Sequence, residues 1–431
     1  MEPITTLNPV WNRFLGNMGS AWSLLNDMGT FADKKDEEET TRLLTSAADI
    51  FGTDLDEIKR DMAAMELPDF DSEIDLTPEL VERMNRDFAE LRSLDVQENY
   101  AEWLKKNPQH IIPLYNIIKD VKTGPAARGK ILRRGALITM FSFYELLIAD
   151  LIKTYYAIYP SALPQPEEQK ISLADLRSIN PNSLEEIENY FIVREADHVL
   201  RDNSRKQLQY FKNKLKVQID LSSYLRDAFW ELSQRRNLIV HNDGIVDELY
   251  LSSVDKKYIR SLELEKGMRL NVTPEYILHT YDTLLELGCT MAQICWRRWI
   301  KSDADKADRS LSETIFTLLE KGRYGPVKNL AKFAIESKIS QPYDLIVAIN
   351  KAIAERETQD SKGLEKSVRK IAGFPSSMER DIALSLLEGD HERAFELLQV
   401  AKDDGKIQHF SFHWPLFIPV QNDPRFISLF E

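Results

Sequence analysis

The run RRNLIVHND places a guanidinium, an amide and an imidazole close together, on Arg236, Asn237 and His241. Asn237 stands four residues before His241, so on a helix the two share a face, and the long Arg236 side chain reaches the same place. Gly244 follows as the helix stop, because glycine enters the left-handed conformation without steric cost. At a last turn the unpaired carbonyls favour an imidazolium, which suits His241 to hand over a proton near neutrality. Cleaving a phosphodiester needs a proton shuttle and a fixed cation for the charge growing on the phosphate oxygens. His241 suits the first task and Arg236 the second.

Other residues could join them. Glu145 lies at the border of an apolar helix face that includes Phe141 and Ile148, and a carboxylate there needs a partner. Arg236 or Arg235 would serve, as would a surface pair with Arg133 or Lys153. Lys206, Lys212, Lys214 and Lys216 alternate with Tyr210 and Phe211, a mixture of cations and rings that suits RNA, although a solvated helix face has the same composition. Arg235 belongs with Lys206, Lys212 and Lys214 in the set expected to contact RNA. Cys289 and Cys295 lack a companion pair at zinc spacing, and no glycine-rich phosphate loop is present, so no metal and no cofactor is expected.

The spacing Arg-Asn-three residues-His, at a helix end and followed by Asn242-Asp243-Gly244, resembles the HEPN family over about residues 110 to 300. The resemblance implies a metal-independent endoribonuclease that dimerises, with two motifs meeting across the interface. The 2′-hydroxyl attacks the adjacent phosphate and leaves 2′,3′-cyclic phosphate and 5′-hydroxyl ends. Carried over by position, His241 is the general acid or base, Arg236 steadies the transition state, and Asn237 orients the phosphate or the imidazole. A role as a toxin or antiviral effector is implied as well. The closely following Tyr of the nucleotidyltransferase-controlled branch is missing here, which puts regulation by that route in doubt. The alternative is a non-catalytic HEPN scaffold, whose Arg236 and His241 merely cap a helix and whose C-terminal repeats bind RNA or protein.

These residues need helices to position them, and the chain is expected to be all-α. Gly and Pro are scarce, and 431 residues suggest two or three units. Leu137, Met140, Phe141, Tyr144, Ile148, Leu151 and Tyr155 recur at three- and four-residue steps, the mark of a core helix rather than a membrane span. Further helices are predicted at 183–200, 204–218, 221–243 and 274–300, the last capped by Thr273 with Pro274 at its first turn. LELEKGMRLNV is predicted to form a small hairpin around Lys266-Gly267. The expected division is an acidic helical region over 1–105, a HEPN-like bundle over 106–302 and TPR-like repeats over 303–431. The repeats are read from Gly322 and Gly389, 67 residues apart, and from Ala394, Leu398 and Ala401 on one packing face.

Charge is lopsided. Residues 1–100 carry nine Lys/Arg against 23 Asp/Glu, while the remainder is within one charge of neutral, so the overall −13 does not argue against an RNA partner. The acidic run could be a solvated extension or a cover that competes with RNA. A helix is expected to start at Thr77-Pro78. With no basic and apolar leader at the N-terminus, a cytoplasmic location is expected.

Overall fold

A computed structural model describes residues 6–51, 128–164, 183–407 and 411–430, with scattered positions within 52–127 and 165–182. The helix start at Thr77-Pro78 and the break at Gly124-Pro125 fall largely outside the described residues. What is described is helical, with no named strand.

Packing divides the chain otherwise than at 105 and 302. One compact unit comprises Met1–Ala21 with Leu137–Glu431, and the other comprises Trp22–Ala136. The first 21 residues join the larger unit because the start of α1 (Asn8–Phe51) carries apolar side chains at helical spacing, and Leu7, Trp11, Phe14 and Met18 are all buried. Within the smaller unit the acidic run is partly consumed. Asp33 accepts two hydrogen bonds from Arg133 at 2.7 and 2.8 Å, and Asp36 accepts the Gly129 backbone N–H at 2.9 Å.

The core of the larger unit is built on α2 (Arg128–Ile158), α3 (Leu184–Arg201), α4 (Ser204–Asn213) and α5 (Ser223–Asn242), followed by two short helices, α6 (Glu248–Ser253) and α7 (Lys256–Ser261), and then α8 (Pro274–Trp299). All seven periodic positions named above on α2 are buried. Phe141 stacks on Phe229 of α5 at 6.2 Å, and the Tyr144 hydroxyl donates to Met291 of α8. α2 is long and apolar enough by length and composition to cross a membrane, and half of its most apolar stretch is buried within the protein. α4 stops at Asn213, short of the expected 218. Lys216 takes a positive φ and the chain turns so that Leu215 and Val217 become buried.

α8 is buried along most of its length. Thr273 accepts the Tyr276 N–H at 3.1 Å, so the expected cap forms. Gly288 makes room there: a Cβ would sit 2.2 Å from the Phe14 ring, so any larger residue would force that buried ring to move. Beyond α8 come three successive helical pairs: α9 (Ala304–Glu320) with α10 (Tyr324–Glu336), α11 (Tyr343–Glu357) with α12 (Ser361–Ala372), and α13 (Met378–Glu388) with α14 (His391–Asp403). Their turns hold a left-handed residue each, Gly322, Gln359 and Gly389. The end packs as an apolar cap through Trp414, Leu416, Phe417 and the last helix, α15 (Pro424–Phe430). The Trp414 indole donates to Asn350 at 2.9 Å.

Candidate active site

The C-terminal half of α5 is fixed from its buried side. Glu231 and Arg235, one turn apart, form an ion pair at 2.7 Å with both side chains about 5% exposed. The Tyr250 and Tyr276 hydroxyls donate to the two Glu231 oxygens, each at 2.7 Å. The Arg235 guanidinium lies 3.8 Å from the Tyr276 ring centroid and donates to the Asn271 carbonyl. A buried pair persists only when its remaining polar atoms are satisfied, and this one is. The expectation that Arg235 meets RNA is therefore corrected: burial and its contacts with Glu231, Tyr276 and Asn271 close it to solvent. His279 stands nearby, and burial pushes its imidazole down despite the attraction of Glu231 and Asp282.

The helix ends by a slightly different device from the one expected. Asp243 is the first left-handed residue, at φ 48°, and Gly244 the second, at φ 80°; the N–H of each donates to the Leu238 carbonyl. Asn242 donates its amide to the Ile245 carbonyl at 2.7 Å. The predicted hairpin is also corrected. Gly267 marks a turn, but the segment around it pairs with residues after the motif: Val246 N–H donates to the Met268 carbonyl and Leu270 N–H to that of Gly244, through a lone bridge between Ile245 and Arg269. Leu238, Val246, Tyr250, Val254 and Leu264 pack beneath this lobe and hold the end of α5 in place.

On the open side, Arg236 is held by three neighbours. Its guanidinium lies 5.4 Å from the Phe141 centroid, donates to Asn237 Oδ1 at 3.0 Å, and faces both Glu145 oxygens at 3.4 Å. Arg133 is engaged with Asp33 instead. Arg236 and Glu145 are each 24% exposed, so the pair is screened but not sealed. At 3.4 Å it is longer than the 2.7–2.9 Å usual for charge-assisted bonds, and the Arg236 Nε–H is buried without a partner. Burial pushes the Glu145 carboxyl above its ordinary range, and the attraction of Arg236 only partly offsets this. Asn237 and His241 are exposed on the same face, and the imidazole makes no hydrogen bond or ion pair. The arrangement presents a fixed cation, an amide and an unengaged imidazole to solvent, which can bind a phosphate and exchange a proton with it.

The lysines divide. Lys206 is tied to Asp202 at 3.2 Å, whereas Lys212 and Lys214 are exposed and make no ion pair. The rings expected among them are unavailable. Phe211 is wholly buried, and the Tyr210 hydroxyl donates to Glu195 while meeting that of Tyr156 at 2.6 Å. Trp230 and Arg205, which were not singled out from the sequence, occupy the surface instead, with the guanidinium 5.4 Å from the indole centroid. The available signal was spacing: Trp230 precedes Asn237 by seven residues and His241 by eleven, which puts all three on one face of α5. Among the described residues no three His, Cys, Asp or Glu side chains converge as a metal site. Compared with protein-family models, curated proteins and solved structures, the chain matches none, so the site stands on its geometry and on the motif.

Proposed function

We propose that this chain is a metal-independent endoribonuclease of the HEPN type, with His241 and Arg236 as its reacting residues. The observation that carries the proposal is that one helix end holds both a part-exposed guanidinium, restrained by Asn237 and Glu145, and an exposed imidazole with no bonding partner. In the reaction the 2′-oxygen forms a bond to phosphorus as the bond from phosphorus to the 5′-oxygen breaks. The 2′-hydroxyl proton leaves to a base, and the departing 5′-oxygen takes a proton from an acid. His241 serves one of these steps, and the matching imidazole of a second copy serves the other across a homodimer formed by the bundle. Arg236 stabilises the charge on the phosphate oxygens, and Asn237 orients it. Glu145 holds Arg236 from behind. The helical pairs after residue 303 act as a TPR-like module for a protein partner, consistent with a toxin or defence role in the cytoplasm.

The test is incubation of the full chain with total RNA in excess EDTA. Fragments are expected whose 5′ ends accept phosphate from a kinase without prior dephosphorylation and whose 3′ ends resist ligation until the cyclic phosphate is removed. Cleavage that stops on chelation and returns with magnesium would replace this chemistry with a two-metal route. An absence of cleavage, with the fold intact and RNA bound, would favour the scaffold.

A further inference from the structure

We propose that the groove formed by Trp230, Arg205 and Lys212 is a subsite for an unpaired nucleobase, and that single-stranded RNA runs from it along α5 to His241. The inference rests on the ribonuclease function above and adds the form of its substrate. The groove has a volume of about 320 Å³, the scale of one small planar ligand, and is lined also by Gln209, Gln218 and Asp220. The indole is half-buried and so held in position, with the Arg205 guanidinium 5.4 Å from its centroid. A base sliding onto the indole meets a ring face, a planar cation and amide groups, which is how single strands are held without sequence preference.

Charge supports an anionic strand. Arg205, Lys212 and Lys214 are exposed and none makes an ion pair, whereas Asp220, the acid in the groove, accepts a hydrogen bond from Gln218 at 2.8 Å. Geometry supplies the direction. Trp230, Gln234, Asn237 and His241 follow one another at four, three and four residues, a single stripe along α5. Exposure rises along it, from half-buried Trp230 and Gln234 to exposed Asn237 and His241. Eleven residues of helix place the indole roughly 16 Å along the axis from the imidazole. A base anchored at Trp230 thus lies a short stretch of chain from the phosphate that His241 serves. Duplex RNA keeps its bases paired and stacked and offers nothing for the indole to hold.

Binding of a fluorescein-labelled 12-residue oligouridylate to the full chain, followed by anisotropy at 0.1 M salt with EDTA, tests the subsite. Stacking of one base corresponds to a loss of about five- to a hundredfold in affinity on removing the ring. Trp230→Leu and Arg205→Gln are each expected to weaken binding by at least fivefold. Lys321→Gln, which removes an exposed cation elsewhere, is expected to change it less than twofold. Arg205 is a surface residue, so its variant decides the matter even if Trp230→Leu fails to fold. Unchanged affinity in Arg205→Gln, while the wild type binds and cuts, overturns the subsite alone. A wild type that neither binds nor cuts overturns the ribonuclease function and the subsite together. Displacement of the oligomer by equimolar uridine monophosphate would make the groove a mononucleotide site and overturn the strand path, and equally tight binding of a blunt duplex would do the same.

Discussion

Arg236, the cation of the proposed reaction, is restrained by its neighbours without being tightly paired. Its contacts with Glu145 are long, its Nε–H is unpaired, and the ring of Phe141 limits how far the guanidinium can swing. His241 contributes nothing visible to packing. His241→Ala is accordingly expected to lower the cleavage rate by about a hundredfold or more, the usual scale for losing a proton-transfer group, with a melting temperature equal to wild type. Arg236→Ala is expected to lose a similar factor, because a preorganised cation acts where charge develops. Wild-type cutting by either variant would remove it from the site. Glu145→Gln separates holding from reacting. The carboxylate is disfavoured by burial, so its neutral replacement is expected to leave stability unchanged or raised. Cleavage should fall several-fold as Arg236 loses its anchor. A loss as deep as that of Arg236→Ala would mean that Glu145 itself touches the reacting phosphate.

At the scale of elements, α8 joins the bundle to the helical pairs through carboxylates. Asp282 forms a two-pronged ion pair with Arg323, from the turn before α10, and Glu286, one turn on, accepts from Asn329 of α10 at 2.8 Å. Burial and the like charge of Asp282 push Glu286 up to about 7, against the hydrogen bond from Asn329. Facing groups are Tyr224 of α5 and Cys289 of α8 itself, both raised by burial and further by the Glu286 charge. The sign follows. Between about pH 4.5 and 7 the folded chain keeps a proton that the unfolded chain has lost, so stability is full below that window and declines as pH rises through it. The decline is on the order of 3 kcal/mol. Glu286→Gln can still accept from Asn329 but carries no charge. Urea midpoints are expected to match wild type at pH 4.5 and exceed it at pH 8; equal midpoints at both would refute the assignment. Much of this architecture was legible. The α2 periodicity and the Thr273 cap follow from local spacing. Less legible was the fate of adjacent side chains: Arg235 and Arg236 differ by one residue, and the roughly 100° turn between them sends one to buried Glu231 and the other to Glu145. The pairing of residues 244–246 with 267–270 was hidden for a related reason, since local alternation marks an extended segment without naming its partner.

For the whole molecule, the uneven charge raises the question of what the acidic N-terminal region does to the proposed RNA binding. Deleting residues 1–100 is a poor test, because it removes Leu7, Trp11, Phe14 and Met18, all buried in the larger unit, and leaves Gly288 facing the space that the Phe14 ring had filled. Losing four such side chains removes several kcal/mol of burial, comparable with the whole stability of a typical domain. A truncation is therefore expected to lose its folding transition whether or not the acids matter. Neutralising charge in place avoids this. Asp33, Asp36 and Glu39 hold Arg133 and Arg128 and should be kept. Glu37 and Glu38 are exposed on α1, and Asp69, Asp71, Glu73 and Asp75 lie in the acidic stretch outside the described residues. Converting these six to their amides removes close to half of the −14 carried by residues 1–100. If the region repels or displaces RNA, the variant is expected to bind the oligouridylate several-fold more tightly at 50 mM salt. The gain should fade by 0.3 M, where charges farther apart than a Debye length of about 6 Å are screened. Circular dichroism on the same sample establishes that the fold is kept, so that unchanged affinity at low salt in a folded variant would leave the region as a solvated extension with no part in recognising RNA.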